Sequence, residues 1–482
     1  MPDLRRQIFE SGKTVSRKAA SREASRTNSR GSSKQTSHQS SRTASRQASD
    51  DEDSGFLSDD TALSIGSLDD ENPETENADW PQELSDRISE ILDRKRSSVQ
   101  GREEALSAFC RLTKYHYAEE EIRPYVSDLL SAFAKSIRSE SSVRESTLAL
   151  RAIELLVITS CDDKIYDNAE QLLTRCVRDS SSTAIKAAAI YCLGACTNFG
   201  GAGEEGILDQ MTFLLDIIAS DGQSIDAADD ATSVTAALHV WGFLLSEVDD
   251  FEEDSEEAVQ IFIDQLDSVD SGVQIAAGEN IALLYEKSYT PQEDDDDEDS
   301  EEDEGESDEH ESKDLASGPK LIKRYNAYHN TPELERQLSN LANIHSKRIS
   351  KRDKKSLHGN FASILTTVEN PRRGPRYNMA IDQATNRHYG STLTVKIGRH
   401  GVMKIDRWWK WVRLTSLRRI LQGGFAEHYF QGNRAVLDSL PVMMRMAEAS
   451  GSGDRQSAKK AAKMRSSKRW TGFSEDEDEM ES

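Results

Sequence analysis

Between Trp80 and Ser288 the apolar residues recur with the period of an α-helix, and this constrains the fold more than any other feature of the chain. Glu83–Arg94 sets Leu84, Ile88, Ile91 and Leu92 on one face. Arg102–Tyr115 does the same with Ala105, Leu106, Phe109 and Leu112. Ile122–Ile137 carries Val126, Leu129, Leu130, Phe133 and Ile137, and Val143–Ile158 carries Leu148, Ala152, Leu155, Leu156 and Ile158. Apolar positions at i, i+3, i+4 and i+7 specify helices that bury one stripe. The same spacing returns in 165–177, 183–197, 204–219, 227–248, 256–266 and 273–285, with short polar turns between.

These helices pair at a spacing of roughly 40–45 residues, within the range of armadillo and HEAT repeats. Three second helices read alike: they begin at Val143, Ala184 and Val273, each behind a Ser/Asp-rich turn. Each carries Ala or Gly at mid-helix, where a neighbour must approach. The expected fold is all-α: a helical-repeat domain over 80–290, stacked into one continuous core with an extended binding face.

The rest of the chain divides by charge. The net charge of -26 is a sum of unlike parts. Residues 1–49 hold 11 Lys/Arg against 3 Asp/Glu, 50–314 hold 18 against 67, and 315–482 hold 31 against 16. Segment 1–79 is low in complexity, Ser/Arg-rich and then acidic, and is expected to be disordered. Its Ser25, Ser29, Ser45 and Ser49 each follow an arginine by three positions, and Ser474 adjoins acids; all five are candidate phosphorylation sites. Segment 291–318 is an acidic linker, with 15 acids in the 19 positions 293–311. A small, mainly helical basic domain is expected over 319–446, followed by a basic and then acidic tail over 447–482.

The basic part mixes cations with aromatics. Residues 347–434 carry 19 Lys/Arg and 5 Asp/Glu, with Trp408, Trp409 and Trp411 among them. Cations neutralise phosphates, and aromatic rings stack on unpaired bases. Candidate RNA contacts are therefore Lys347, Arg348, Lys351, Arg352, Lys354 and Lys355, then Arg399, His400, Lys410, Arg413, Arg418, Arg419 and His428. The Lys347–Lys355 cluster also reads as a nuclear import signal. Trp408 is the tryptophan expected to face the core.

Catalytic signatures are missing from the sequence. It contains no phosphate-binding loop, no Gly-x-Ser-x-Gly elbow and no His-Glu-x-x-His. Cys110, Cys161, Cys176, Cys192 and Cys196 form no disulfide framework, and the Cys192/Cys196 pair lacks companions for a metal site. The chain shows no apolar signal stretch and no run long enough to span a bilayer. The expectation is a non-enzymatic protein of the cytoplasm and nucleus, with no cofactor, no membrane partner and no small-molecule substrate.

Several stretches together carry a family likeness. They are Ile275-Ala276-Ala277-Gly278-Glu279-Asn280 with Leu284-Tyr285-Glu286, the basic cluster leading into Leu357–Val368, and Leu393-Thr394-Val395-Lys396 with Lys404-Ile405-Asp406-Arg407-Trp408. The last is Leu421-Gln422-Gly423-Gly424-Phe425 with His428, Gln431 and Asn433. In this the chain resembles the interferon-related developmental regulator family over about residues 80–440. The resemblance implies an armadillo-like domain that docks regulatory proteins and a basic C-terminal domain that reaches ribosomal or other structured RNA to regulate translation. It also implies an alternative, a nuclear transcriptional co-regulator.

Overall fold

The structure is a computed structural model, and it describes residues 79–94, 97–291, 321–343, 350–382, 387–391, 393–397, 401–442 and 445–446. All of these fall within one compact unit, Ser54–Ser482.

Helices pair and stack as the periodicity demands. α1 (Trp80–Leu92) packs on α2 (Val99–Tyr115), α3 (Val126–Ser139) on α4 (Val143–Ser160), and α5 (Ile165–Asp179) on α6 (Thr183–Phe199). α7 (Gly203–Ala219) packs on α8 (Ala231–Leu245), and α9 (Glu252–Gln265) on α10 (Ser271–Lys287). The second helices then stack on one another in order, α2 on α4, α4 on α6, α6 on α8 and α8 on α10. The Ser/Asp turns cap them: Ser98, Ser142, Asp230 and Asp270 each accept a backbone N–H at the start of α2, α4, α8 and α10. Such a cap contributes about 1 kcal/mol to a helix.

The small mid-helix residues sit where second helices meet. A Cβ on Gly194 of α6 would lie 2.3 Å from Val240 of α8, and one on Gly242 of α8 would lie 2.1 Å from Asn280 of α10. The Val240 and Asn280 side chains fill the space a Cβ would take, so this close packing depends on glycine.

The row does not stop at residue 290. α11 (Thr331–Ala342), a helix the sequence reading lacks, packs on α12 (Lys351–Glu369), and α12 stacks on α10 as a sixth pair. Gly278 of α10 faces Ile364 and Phe361 of α12 across this contact. The expected boundary between a repeat domain over 80–290 and a separate domain over 319–446 therefore gives way to one core shared by both. The acidic stretch is an insertion between the fifth and sixth pairs. Its ends join in a short antiparallel ladder, β1 (Tyr289–Pro291) with β2 (Leu321–Lys323).

After α12 the chain forms a hairpin, β3 (Tyr377–Asp382) with β4 (Arg387–Ser391), and a small sheet of β5 (Thr394–Ile397), β6 (Gly401–Lys404) and β7 (Arg445–Met446). Between β6 and β7 run α13 (Trp408–Leu421), α14 (Phe425–Phe430) and α15 (Arg434–Ser439). These three helices lie as a strap across the second helices, touching α10 and α8 first and α4 and α2 last. Covered by first helices on one side and by the strap on another, α8 and α10 are buried almost all round. The strap thus covers part of the face that the second helices present.

Candidate nucleic-acid interface

The strap begins on a buried carboxylate. Glu286 of α10 accepts the backbone N–H groups of Trp408 at 2.9 Å and Trp409 at 3.1 Å. It therefore caps the N-terminus of α13 from another helix, where a negative charge is favoured. Burial pushes this carboxyl upward, opposed by Arg407 and by the two N–H groups. Two turns earlier on α10, Glu279 accepts the Trp411 indole N–H at 3.2 Å, and burial raises its carboxyl to about 7. Trp408 is fully buried, and its indole donates to Thr367 of α12 at 2.7 Å. The expectation for Trp408 thus holds, and Trp411 is buried beside it.

Most of the basic residues expected on the RNA side of α13 are consumed by the fold. Arg413 donates to Ser246 Oγ at 3.0 Å, to the Ser246 carbonyl at 2.5 Å and to the Ser439 carbonyl at 2.9 Å; it also pairs with Glu247 at 3.0 Å. Arg419 pairs with the buried Glu154 of α4 at 2.8 Å and stacks over the Tyr191 ring of α6 at 4.0 Å. Arg151 holds the same Glu154 at 2.6 Å and donates to the Ile420 carbonyl. Lys410 pairs with Asp406 at 2.6 Å, and Arg418 is half-buried. Arg413 and Arg419 are corrected from RNA contacts to internal ties, because buried carboxylates and carbonyls already engage their guanidinium groups.

His428 is corrected likewise, since it is fully buried. Its Nε2 bonds the Thr113 carbonyl of α2 at 3.0 Å. Asn433 donates to His428 Nδ1 at 2.9 Å and to the Ile158 carbonyl of α4 at 3.1 Å. This network is complete only for a neutral imidazole protonated at Nε2. Burial accordingly lowers the His428 pKa to about 4, against the pull of the Thr113 and Lys114 carbonyls. Gly424 packs so closely on α2 that a Cβ would lie 1.7 Å from the Lys114 carbonyl oxygen. Gln431 accepts the Tyr117 N–H at 2.9 Å. Gly424, between α13 and α14, is thus a point of backbone contact.

The basic residues that remain outward lie elsewhere. Ser350 caps α12 by accepting the Asp353 N–H at 3.1 Å, and Lys351, Arg352, Lys354 and Lys355 occupy the turns that follow. Arg352 and Lys355 are exposed and Lys354 is half-exposed. Arg324 and Arg372 bond the β1–β2 ladder and Arg407 bonds the Arg372 carbonyl, a second group that was absent from the sequence expectations. Its members are scattered singly through the sequence, so no cluster announces them. Lys347, Arg348, Arg399, His400, Ser25, Ser29, Ser45, Ser49 and Ser474 lie outside the described residues, as does the side chain of Lys351.

Among the described residues no group of three or more His, Cys, Asp or Glu is placed to hold a metal, and no helix is long and apolar enough to cross a membrane. The fold is that of a stacked-helix protein whose own C-terminal segment straps its second helices. The chain belongs to the interferon-related developmental regulator family, whose model matches residues 35–369. That match ends on the last residue of α12, so it spans the whole row of helix pairs and stops short of the strap. An uncharacterized protein of Schizosaccharomyces pombe is 27% identical over 372 residues, which is 76% of this chain and 76% of its own. Membership of the family points to a regulatory role.

Proposed function

We propose that the protein is a non-enzymatic adaptor that binds the ribosome, or another structured RNA, through outward basic residues of its C-terminal half and thereby regulates translation. The observation that carries this is the placing of Lys351, Arg352 and Lys354 in the first turn of α12. Cations at that end of a helix oppose its dipole, each at a cost of about 0.3–1 kcal/mol. Arg352 is exposed and Lys354 half-exposed in that turn, where a phosphate backbone would favour their charge. Regulatory proteins dock on the solenoid surface that the strap leaves open. The protein works in the cytoplasm, with access to the nucleus through the Lys347–Lys355 signal.

Sucrose-gradient sedimentation with RNase treatment and a salt series tests the reading. Comigration with ribosomes at low salt is the expected result. Replacing Lys351, Arg352, Lys354 and Lys355 together by Gln should weaken binding and reduce the slope of log affinity against log salt by about 3. Protein that stays at the top of the gradient at low salt overturns the reading. Chromatin occupancy that survives RNase would then favour the nuclear co-regulator.

A further inference from the structure

The acidic insertion leaves and rejoins the fold at one place, and that place is ringed by arginines. In the β1–β2 ladder Pro291 lies opposite Leu321, so residues 292–320 begin and end on adjacent backbones. Arg324 follows β2 and donates through Nε to Thr290 Oγ1 at 2.7 Å. Arg372, just after α12, donates through Nη2 to the Leu321 carbonyl at 3.2 Å. Arg407, just before α13, donates through Nη1 to the Arg372 carbonyl at 3.3 Å. Three distant parts of the chain thus bring three guanidinium groups to one patch. Arg324 and Arg372 are exposed, Arg407 is half-buried, and Lys323 is exposed beside them. The carboxylates that adjoin the patch in sequence face other cations: Glu369 lies 4.0 Å from Arg373, and Asp406 lies 2.6 Å from Lys410. Glu286, which feels the Arg407 charge, is buried under the start of α13.

We propose that this arginine patch docks the acidic run 293–311 of the same chain. The run has 15 acids in 19 positions and no Lys or Arg, a direct complement to gathered guanidinium groups. Glu293 follows Pro291 by two positions, so chain length alone keeps it within about 7 Å of the ladder. Attachment at both ends makes the encounter intramolecular, with an effective concentration on the order of millimolar. Each contact is weak and screened by salt, but the charges act together. A polyanion arriving at this side of the molecule then competes with a resident one; that consequence rests on the RNA reading, whereas the docking itself does not.

Zero-length carbodiimide crosslinking of the full-length protein, free of RNA, tests the docking, because it joins lysine amines only to carboxylates in contact with them. Links from 293–311 to Lys323 and to Lys404, which precedes Arg407 by three residues, are expected. Their yield should fall about fivefold or more in the Arg324→Gln/Arg372→Gln double variant and at about 0.5 M salt. Replacing Asp294, Asp295, Asp296 and Asp297 by Asn should cause the same loss while leaving every described contact intact. Yields indifferent to the arginine replacements would overturn the proposal. So would links made chiefly to Lys354 and Lys355, or links found only between isotopically distinct copies. Absence of these links, with RNA crosslinking at the patch instead, would also overturn it and make the patch an RNA surface.

Discussion

The first turn of α12 and the length of α13 carry the same kinds of side chain and put them to opposite use. On α13, Arg413 and Arg419 are drawn inward by Glu247, Glu154 and a set of carbonyl oxygens. On α12, Arg352 and Lys355 stay at the surface, at the helix end where cations are least favoured. Local charge density therefore does not separate a binding residue from a structural one. The separation depends on whether an acceptor waits across the fold, since a guanidinium is buried only where carboxylates or carbonyls meet it.

The sharpest way to break this contrast is to truncate on each side of it. Arg413→Ala leaves Glu247 and two carbonyls in a partly buried site without their cation, and should lower stability by about 3 kcal/mol in urea denaturation. Replacing Arg352 and Lys355 by Ala should change stability by less than about 0.5 kcal/mol. Comparable losses on the two sides would erase the distinction.

A smaller effect tests the far end of the strap. His428 has a folded-state pKa of about 4, below its ordinary value of 6.5. Its contribution is therefore present above pH 6.5 and is lost as pH falls toward 4, by about 2 kcal/mol between pH 7 and pH 5. Melting temperature measured across that window should drop in the native protein and drop less in His428→Gln. Equal slopes would mean that the imidazole does not hold the strap as a neutral group.

The smallest effect has the opposite sign. The Glu279 carboxyl is raised from 4.5 to about 7, so it favours the folded state at low pH and loses that contribution as pH rises through 7. Glu279→Gln keeps an acceptor for the Trp411 indole without the charge. Its stabilising effect should be larger at pH 8 than at pH 5.5, by up to about 2 kcal/mol, as read by denaturant midpoints. Destabilisation at pH 8 would show that the ionised carboxylate is the form the strap requires.

Much of the solenoid was legible because its signals are local. The phases of Leu84/Ile88/Ile91 and Leu129/Phe133/Ile137, the Ser and Asp caps, and the glycines at mid-helix all act within a few residues of where they stand. The sixth pair was hidden by its position beyond the acidic insertion. Leu334, Leu338 and Leu341 behind Pro332 do carry the helical period, and that is the signal that would have found α11. The motifs that carry the family likeness were visible as residues but not as contacts. Glu279, Glu286, Gly424, His428, Gln431 and Asn433 turn out to be opposite halves of one interface.

The sequence by itself determined which segments are helices, where they start, that they repeat, and that an acidic run interrupts a basic half. Only the tertiary structure decided which cations face outward. Arg419 and Glu154 are 265 positions apart, and Trp411 and Glu279 are 132 apart. No pattern within one helix encodes such a pairing. It arises when stacking brings the buried carboxylates of the second helices under the strap, where leaving them without a partner would cost more than ordering an arginine or a tryptophan to meet them.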